Sequence, residues 1–378
     1  MKRPRLLYLV TEDWYFMTHR LPMARAARDA GYDVHVATRV SKFADRIAAE
    51  GFTLHEIDLY RGSVNPLSFA RAVSAVRTLC RAIAPDVVHH IALQPSIIGA
   101  LAARGAPYAV LNSIFGFGSV FTAHGLKSRF ARLLLRPLIP LLFNAKRSMT
   151  MVVNPDHRDM LVSLGVDAGK IAVIPGSGVD LTKYGPLPEP QGAVTLGYAG
   201  RMLEDKGVRV LVEACERLAR DGHDIRLLLA GLPDPSNPNS IPQSELEAWS
   251  RQPGIEWLGN VEDVRTVWAR AHVAVLASRG EGMPMSLAEA AACERPLIAT
   301  DVSGCREIAR DNLNALLVSP DDAAALAAAI ARLSHDAALR QRLGKAGRRL
   351  VEQDYASERV AEKIVAIYRQ LSDAQTAH

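Results

Sequence analysis

The chain reads as an α/β protein of two doubly wound units, each built on a parallel sheet. Three observations carry this reading. Short apolar runs alternate with helix-patterned segments from end to end, as expected when helices flank parallel strands. The 378 residues exceed the roughly 250–300 that one hydrophobic core usually serves. A Pro- and Gly-rich stretch, Pro175-Gly-Ser-Gly178 followed by Gly185-Pro-Leu-Pro-Glu-Pro190, breaks the alternation near the middle, which marks a linker.

The elements follow in order. Arg5 to Val10 is a first strand; the basic head Met1-Lys-Arg-Pro-Arg5 precedes too short an apolar run to read as a signal peptide. A loop and a helix from about His19 to Ala30 come next, stopped by Gly31. Strands are expected at Asp33–Thr38, Phe52–Ile57, Val87–Ile91, Tyr108–Leu111, Met149–Val153 and Ile171–Ile174, with Phe69 to Ile83 the clearest helix between them. The second unit repeats the pattern, with strands near 194–199, 225–230, 255–258, 272–277, 296–299 and 314–318. An amphipathic run, Ser357 to Leu371, closes the chain. The expected domains are 1–178 and 190–352.

Composition is that of an ordinary globular protein, 49% hydrophobic and 22% charged. Four scattered cysteines without C-x-x-C spacing argue against a disulfide framework and for a reduced, cytoplasmic compartment. The net charge of +5 is unevenly spread. Residues 1–180 carry 22 Lys and Arg against 13 Asp and Glu; the rest carry 23 against 27. From Arg61 to Pro155 there are eleven basic residues and one acid, Asp86. Such a block suits an anionic partner, and a solvated basic face is the plain alternative. Within it, residues 124–147 hold an apolar run interrupted by Arg132, Arg136, Pro137 and Pro140. It is well short of the ~20 residues that span a bilayer. A segment lying on an anionic leaflet fits, as does a core helix with a basic rim. Nucleic acid is not the expected partner, because the charge lacks interleaved aromatics and no recognition module appears.

Two junctions carry the chemistry. The apolar strand His272 to Ala277 leads into Glu281-Gly-Met-Pro-Met-Ser-Leu-Ala-Glu289. Pro284 suits a first helical position, where the missing N–H costs nothing. Glu281 then lies in the loop and Glu289 in the first turns of the helix. The backbone of Gly282, Met283, Pro284 and Met285 forms a positive helix end suited to an anion. The second junction follows the strand ending at Ala199. Gly200-Arg201 and Lys206-Gly207 precede a helix from Val208, so two cations and another helix N-terminus meet one point. A guanidinium fork and an ammonium together suit a diphosphate.

The pairing of GR-x4-KG with E-x7-E resembles the family 4 retaining glycosyltransferases with the GT-B fold, and the likeness extends over nearly the whole chain. It implies two Rossmann-like domains facing each other across a cleft, with a C-terminal helix, 355–372, returning to the first. It implies a nucleotide-diphosphate sugar as donor, held by the second domain. Arg201 and Lys206 would hold the diphosphate and stabilise the leaving nucleotide, so that no metal and no cofactor is needed. Glu281 would lie near the transferred sugar, with Gly200 and residues 282–285 contacting phosphate and sugar. Glu289 would accept from the ribose hydroxyls. Val261, in Trp257-Leu-Gly-Asn-Val-Glu-Asp263, matches the segment that reads the base, and Arg279 offers a further phosphate contact. The catalytic set is therefore expected to be Glu281, Arg201 and Lys206.

The acceptor side departs from many relatives. Its first loop, Thr11 to Arg20, has bulky residues in place of glycines, and Phe115 stands where a histidine is common. With Val88-His-His-Ile-Ala-Leu-Gln-Pro95, Gly176-Ser-Gly-Val-Asp180 and Asn237-Pro-Asn-Ser-Ile241, this resembles the subgroup acting on polyprenyl-diphosphate-linked saccharides. His19, Arg20 and His90 are the acceptor candidates. The expected activity is transfer of a hexose or acetamido-hexose from a UDP- or GDP-sugar to a lipid-linked saccharide at the inner face of the membrane, in surface glycan biosynthesis. A GT-B epimerase acting on the nucleotide sugar, or a non-catalytic nucleotide-sugar-binding scaffold at the membrane, are the alternatives.

Overall fold

A computed structural model describes residues 3–60, 65–116, 126–235 and 237–376, excepting the side chains of 126–132, 134, 135 and 374–376. The chain divides into two compact units, Met1–Ser177 with Ser357–His378, and Gly178–Ala356. Each is a parallel sheet clothed by helices.

In the first unit seven strands form: β1 (Arg5–Glu12), β2 (Asp33–Arg39), β3 (Thr53–Glu56), β4 (Val87–Ile91), β5 (Ala109–Ile114), β6 (Ser148–Val152) and β7 (Ile171–Val173). Their order is β3-β2-β1-β4-β5-β6-β7, so the winding reverses between β1 and β4. Every residue of β4 and β5 is buried, as in strands covered on both faces, and their polar members pair internally, His89 with Ser113 and His90 with Asn112. The second unit has six: β8 (Val194–Ala199), β9 (Ile225–Ala230), β10 (Ile255–Gly259), β11 (Val273–Leu276), β12 (Leu297–Thr300) and β13 (Ala315–Val318). Their order, β10-β9-β8-β11-β12-β13, reverses between β8 and β11. All thirteen expected strands are present.

Three local expectations need correction. Residues 13–19 are not a loop but a helix, Asp13–His19, and a second helix, Leu21–Asp29, follows it. Pro22 lies in the first turn of the second helix, where its missing N–H is tolerated. Pro284 precedes its helix, Met285–Ala292, as the extended capping residue. Pro137 and Pro140 lie within one continuous helix, Leu126–Phe143. That helix buries Ile139, Leu142 and Phe143 in the core and leaves Leu133 and Leu141 exposed. His124 and Gly125 of the basic apolar segment, and Phe117 and Gly118 after Gly116, lie outside the described residues. Among the described residues no helix is long and apolar enough to cross a membrane, and all four cysteines are free and buried.

The C-terminal helix, Ser357–Thr376, completes the core of the first unit. Val360, Ile364 and Tyr368 join the cluster built on Leu6, Tyr8 and Val10. A buried polar chain fixes its register. The Tyr8 and Tyr368 hydroxyls are 2.9 Å apart, the Tyr368 hydroxyl is 2.6 Å from His89 Nδ1, and His89 Nε2 meets the Ser113 hydroxyl.

Candidate functional site

In open parallel sheets, ligands bind outside the carboxyl ends of the strands where the winding reverses. In the second unit that point lies between the loops after β8 and β11. The two loops are stitched together. The Arg279 amide donates to the Asp205 carbonyl at 2.8 Å, and the Ser278 hydroxyl donates to the same oxygen at 2.9 Å. Across this seam Lys206 Nζ donates to Glu281 Oε1 at 2.6 Å, both side chains being mostly buried. The cation of one junction and the carboxylate of the other therefore share one place. Tyr198, buried beneath, senses both Glu281 and Arg201, and its hydroxyl donates to the Arg201 carbonyl at 2.8 Å.

Two glycines make this approach feasible. Gly207 has φ +69°, and a Cβ on it would stand 1.9 Å from the Ala277 carbonyl oxygen. The helix Val208–Arg220 can thus begin against the end of β11. Gly304, in the helix Ser303–Ile308, lies against the other loop; a Cβ there would be 2.3 Å from the Glu281 carbonyl oxygen and 2.6 Å from that of Gly282. Neither role is visible in sequence, because each depends on the backbone of a distant element.

Arg201 is half exposed and pairs with Asp234 at 2.9 Å. It lines a pocket of about 490 Å³ with Gly200, Gly231, Leu232, Asn260 and Val261. A one-residue bulge in β10 between Trp257 and Gly259 turns the chain toward Val261; such bulges often re-aim residues beside a site. The segment Asn237–Ile241 is tied to the Arg201 loop through Glu204 N–H to the Asn239 carbonyl (2.9 Å) and Ile241 N–H to the Met202 carbonyl (2.9 Å). Arg279, a further phosphate candidate, donates through Nε to both carboxylate oxygens of Asp321 at 2.8 and 3.0 Å.

Glu289 is partly buried in the second turn of its helix. Burial pushes its carboxyl up to about 7; a hydrogen bond from Tyr184 and the charge of Lys183 act against this, and Asp263 adds to it. Tyr184 is buried, and its importance has no signal in its own neighbourhood of sequence. Pro284 has no N–H, so the amide donors of this turn are those of Gly282, Met283 and Met285.

In the first unit, Asp13 takes the role of an anion at the first βα turn. Its carboxylate accepts from the amides of Ser41, Lys42 and Phe43 at 2.7, 3.0 and 2.9 Å. These hydrogen bonds hold its pKa down against the burial that raises it. His19 is held neutral, its pKa lowered to about 4 by burial and by the charge of Arg20. Arg20 is only 2% exposed; its guanidinium lies 3.8 Å over the Phe115 ring and donates to the Tyr15 hydroxyl at 3.2 Å. His90 does not reach an open surface. It is fully buried, Nδ1 is 2.8 Å from Asn112 Oδ1, and the ring packs on Gly99, where a Cβ would be 2.1 Å from Nε2. It is a core histidine, which corrects its placing among the acceptor candidates.

Comparison with known proteins bears on the family and the fold. Residues 5–153 match the family model "Glycosyl transferase 4-like", and residues 193–336 match "Glycosyl transferases group 1". The putative glycosyltransferase EpsD of Bacillus subtilis is 26% identical over 98% of both chains. The N,N'-diacetylbacillosaminyl-diphospho-undecaprenol alpha-1,3-N-acetylgalactosaminyltransferase of Campylobacter jejuni is 24% identical over 92% of this chain and 94% of its own. The sucrose-phosphate synthase of Thermosynechococcus elongatus superposes with a TM-score of 0.82 at 20% identity, over 98% of this chain and all of its own. With a 4-like model on its first unit and a group 1 model on its second, and with two Rossmann-like sheets, the chain belongs to the family 4 glycosyltransferases of the GT-B fold.

Proposed function

We propose that this protein transfers a hexose or acetamido-hexose from a UDP- or GDP-sugar to a lipid-linked saccharide carried on a polyprenyl diphosphate, with retention at the anomeric carbon. The observation that carries the donor half is the Lys206–Glu281 contact across the β8/β11 switch point. The diphosphate lies on Arg201, Lys206 and the amides of Gly282, Met283 and Met285, beside Gly200 and Pro284. Fixed cations in a partly dry site stabilise the charge that develops on the leaving diphosphate. Lys206 exchanges part of its contact with Glu281 for phosphate, which leaves Glu281 to accept from the transferred sugar. Glu289 takes the ribose hydroxyls, and the base enters the pocket at Val261. The leaving diphosphate assists proton removal from an acceptor attacking on the same face. With two protein cations in place, this reading needs no metal ion and no cofactor.

The acceptor half rests on the similarity to the Campylobacter jejuni enzyme, whose name specifies a diphospho-undecaprenol acceptor. His19 offers a neutral imidazole beside the buried Arg20 charge. The basic first unit suits an anionic leaflet, so the protein works at the inner membrane face in surface polysaccharide assembly.

The test is donor turnover with a polyprenyl-diphosphate N-acetylhexosamine acceptor and chelator present. Lys206→Ala and Glu289→Ala are expected to lower kcat/KM by about a hundredfold, on the order of 3 kcal/mol of transition-state stabilisation each. Full activity in both variants contradicts the site. Isomerisation of the donor sugar without acceptor would indicate the epimerase instead.

A further inference from the structure

The first unit has its own switch point, between β1 and β4, and an unusual group of side chains gathers there. A one-residue bulge in β1 between Leu9 and Glu12 brings Glu12 opposite Arg39 of β2. Glu12 is 8% exposed, and both its carboxylate oxygens accept from Arg39 Nη2, at 2.7 and 2.8 Å. Arg39 Nε is buried and has no hydrogen-bond partner. The same guanidinium lies 5.5 Å from the centre of the Tyr60 ring. Tyr60 is 51% exposed, yet its segment is held firmly. Ile57 and Leu59 are buried, the Ile57 amide donates to the Thr38 carbonyl, and Gln94 Nε2 donates to the Tyr60 carbonyl at 2.9 Å. Gln94 opens the helix Leu93–Ala102 after Ala92, which holds φ +81° and ψ +166°. That region is almost confined to glycine, and non-glycine residues held there concentrate at ligand sites.

The chemistry of the group narrows its ligand. Arg39 is neutralised by Glu12, so an anion gains little here. The nearby amides that could take a phosphate are occupied by Asp13. An apolar chain would bury a charged pair without compensation. What remains is a neutral molecule with an apolar face and several hydroxyls. A pyranose ring has C–H groups for the negative face of an aromatic ring, donors for a carboxylate and acceptors for a guanidinium. We propose that Tyr60, the Arg39–Glu12 pair and the Gln94 region form the docking subsite for the acceptor saccharide. The inference rests on the transferase reading and adds to it the part of the acceptor that this unit grips, the sugar ring.

The variants are Tyr60→Ala, which removes an exposed ring, and Arg39→Lys, which keeps the charge and loses the fork. The first measurement is saturation-transfer NMR with N,N'-diacetylchitobiose at millimolar concentration. Wild type is expected to give ring-proton signals, and Tyr60→Ala to lose them. The second is steady-state transfer, in which both variants raise the acceptor KM by about tenfold or more with donor KM unchanged. No saccharide signal from wild type, or an undiminished one from Tyr60→Ala, overturns the subsite. Thermal stabilisation by UDP or GDP is followed in parallel. Its absence in wild type counts against the transferase reading, whereas intact nucleotide binding with unaltered saccharide signals counts against this subsite alone.

Discussion

Glu289 is the residue whose chemistry has the clearest pH signature. A carboxyl raised from 4.5 to about 7 favours its neutral form in the folded protein. Its stabilisation is complete below pH 4.5 and is lost as pH rises through 7. Ribose hydroxyls prefer the ionised form as acceptor, so nucleotide binding runs the opposite way. The dissociation constant is expected to fall by about threefold to tenfold from pH 6 to pH 8, and Glu289→Gln to flatten that slope; calorimetric titration across the range reads both. Tyr184→Phe removes a donor to the carboxylate and shifts the same profile to higher pH. The motif around Glu289 was legible because a helix terminus and its loop are local in sequence. Tyr184 and Asp234 were not, because each reaches the site from a separate segment whose own composition is unremarked. His90 shows the converse: a histidine at a strand end has the right chemistry for an acceptor site, and only the packing of Gly99 against its ring reveals that it belongs to the core.

Among the elements, the positions of helix ends decide the site. Gly304→Ala would drive a methyl into the Glu281 and Gly282 carbonyls. We expect a loss of about 1–3 kcal/mol in denaturant unfolding, typical of overpacking, together with weaker nucleotide binding although Gly304 touches no ligand. The C-terminal helix gives a second prediction. Tyr368→Phe leaves the buried Tyr8 hydroxyl and His89 Nδ1 without their shared partner. The cost is about 1–3 kcal/mol, read as a lower midpoint for the first unit, with nucleotide binding in the second unit unchanged. A strand such as β11, Val-Ala-Val-Leu, was legible because double burial makes it a continuous apolar run. The helix Asp13–His19 was missed because its bulky aromatic sequence resembles a loop replacement until Asp13 is seen to satisfy the amides of 41–43. Two prolines suggested an interruption in the helix Leu126–Phe143, and tertiary packing of Ile139, Leu142 and Phe143 overrides it.

For the whole molecule, charge is divided as function is proposed to be divided. Residues 1–180 hold an excess of nine positive charges and residues 181–378 an excess of four negative ones. Binding to vesicles containing anionic phospholipid is therefore expected at low salt and is expected to fade at about 0.5 M salt, where screening lengths shrink to a few ångströms. Sedimentation with neutral vesicles as control checks it. The measurement that bears most directly on the account is a nucleotide titration with paired chemical and protein changes. Wild type should bind UDP or GDP at least tenfold more tightly than the 2'-deoxy diphosphate and the corresponding nucleoside. Glu289→Ala should abolish the preference for the ribose hydroxyl alone, and Lys206→Ala should weaken the preference for the diphosphate alone. Variants that remain folded and keep both preferences would contradict the convergence of the two junctions on one nucleotide.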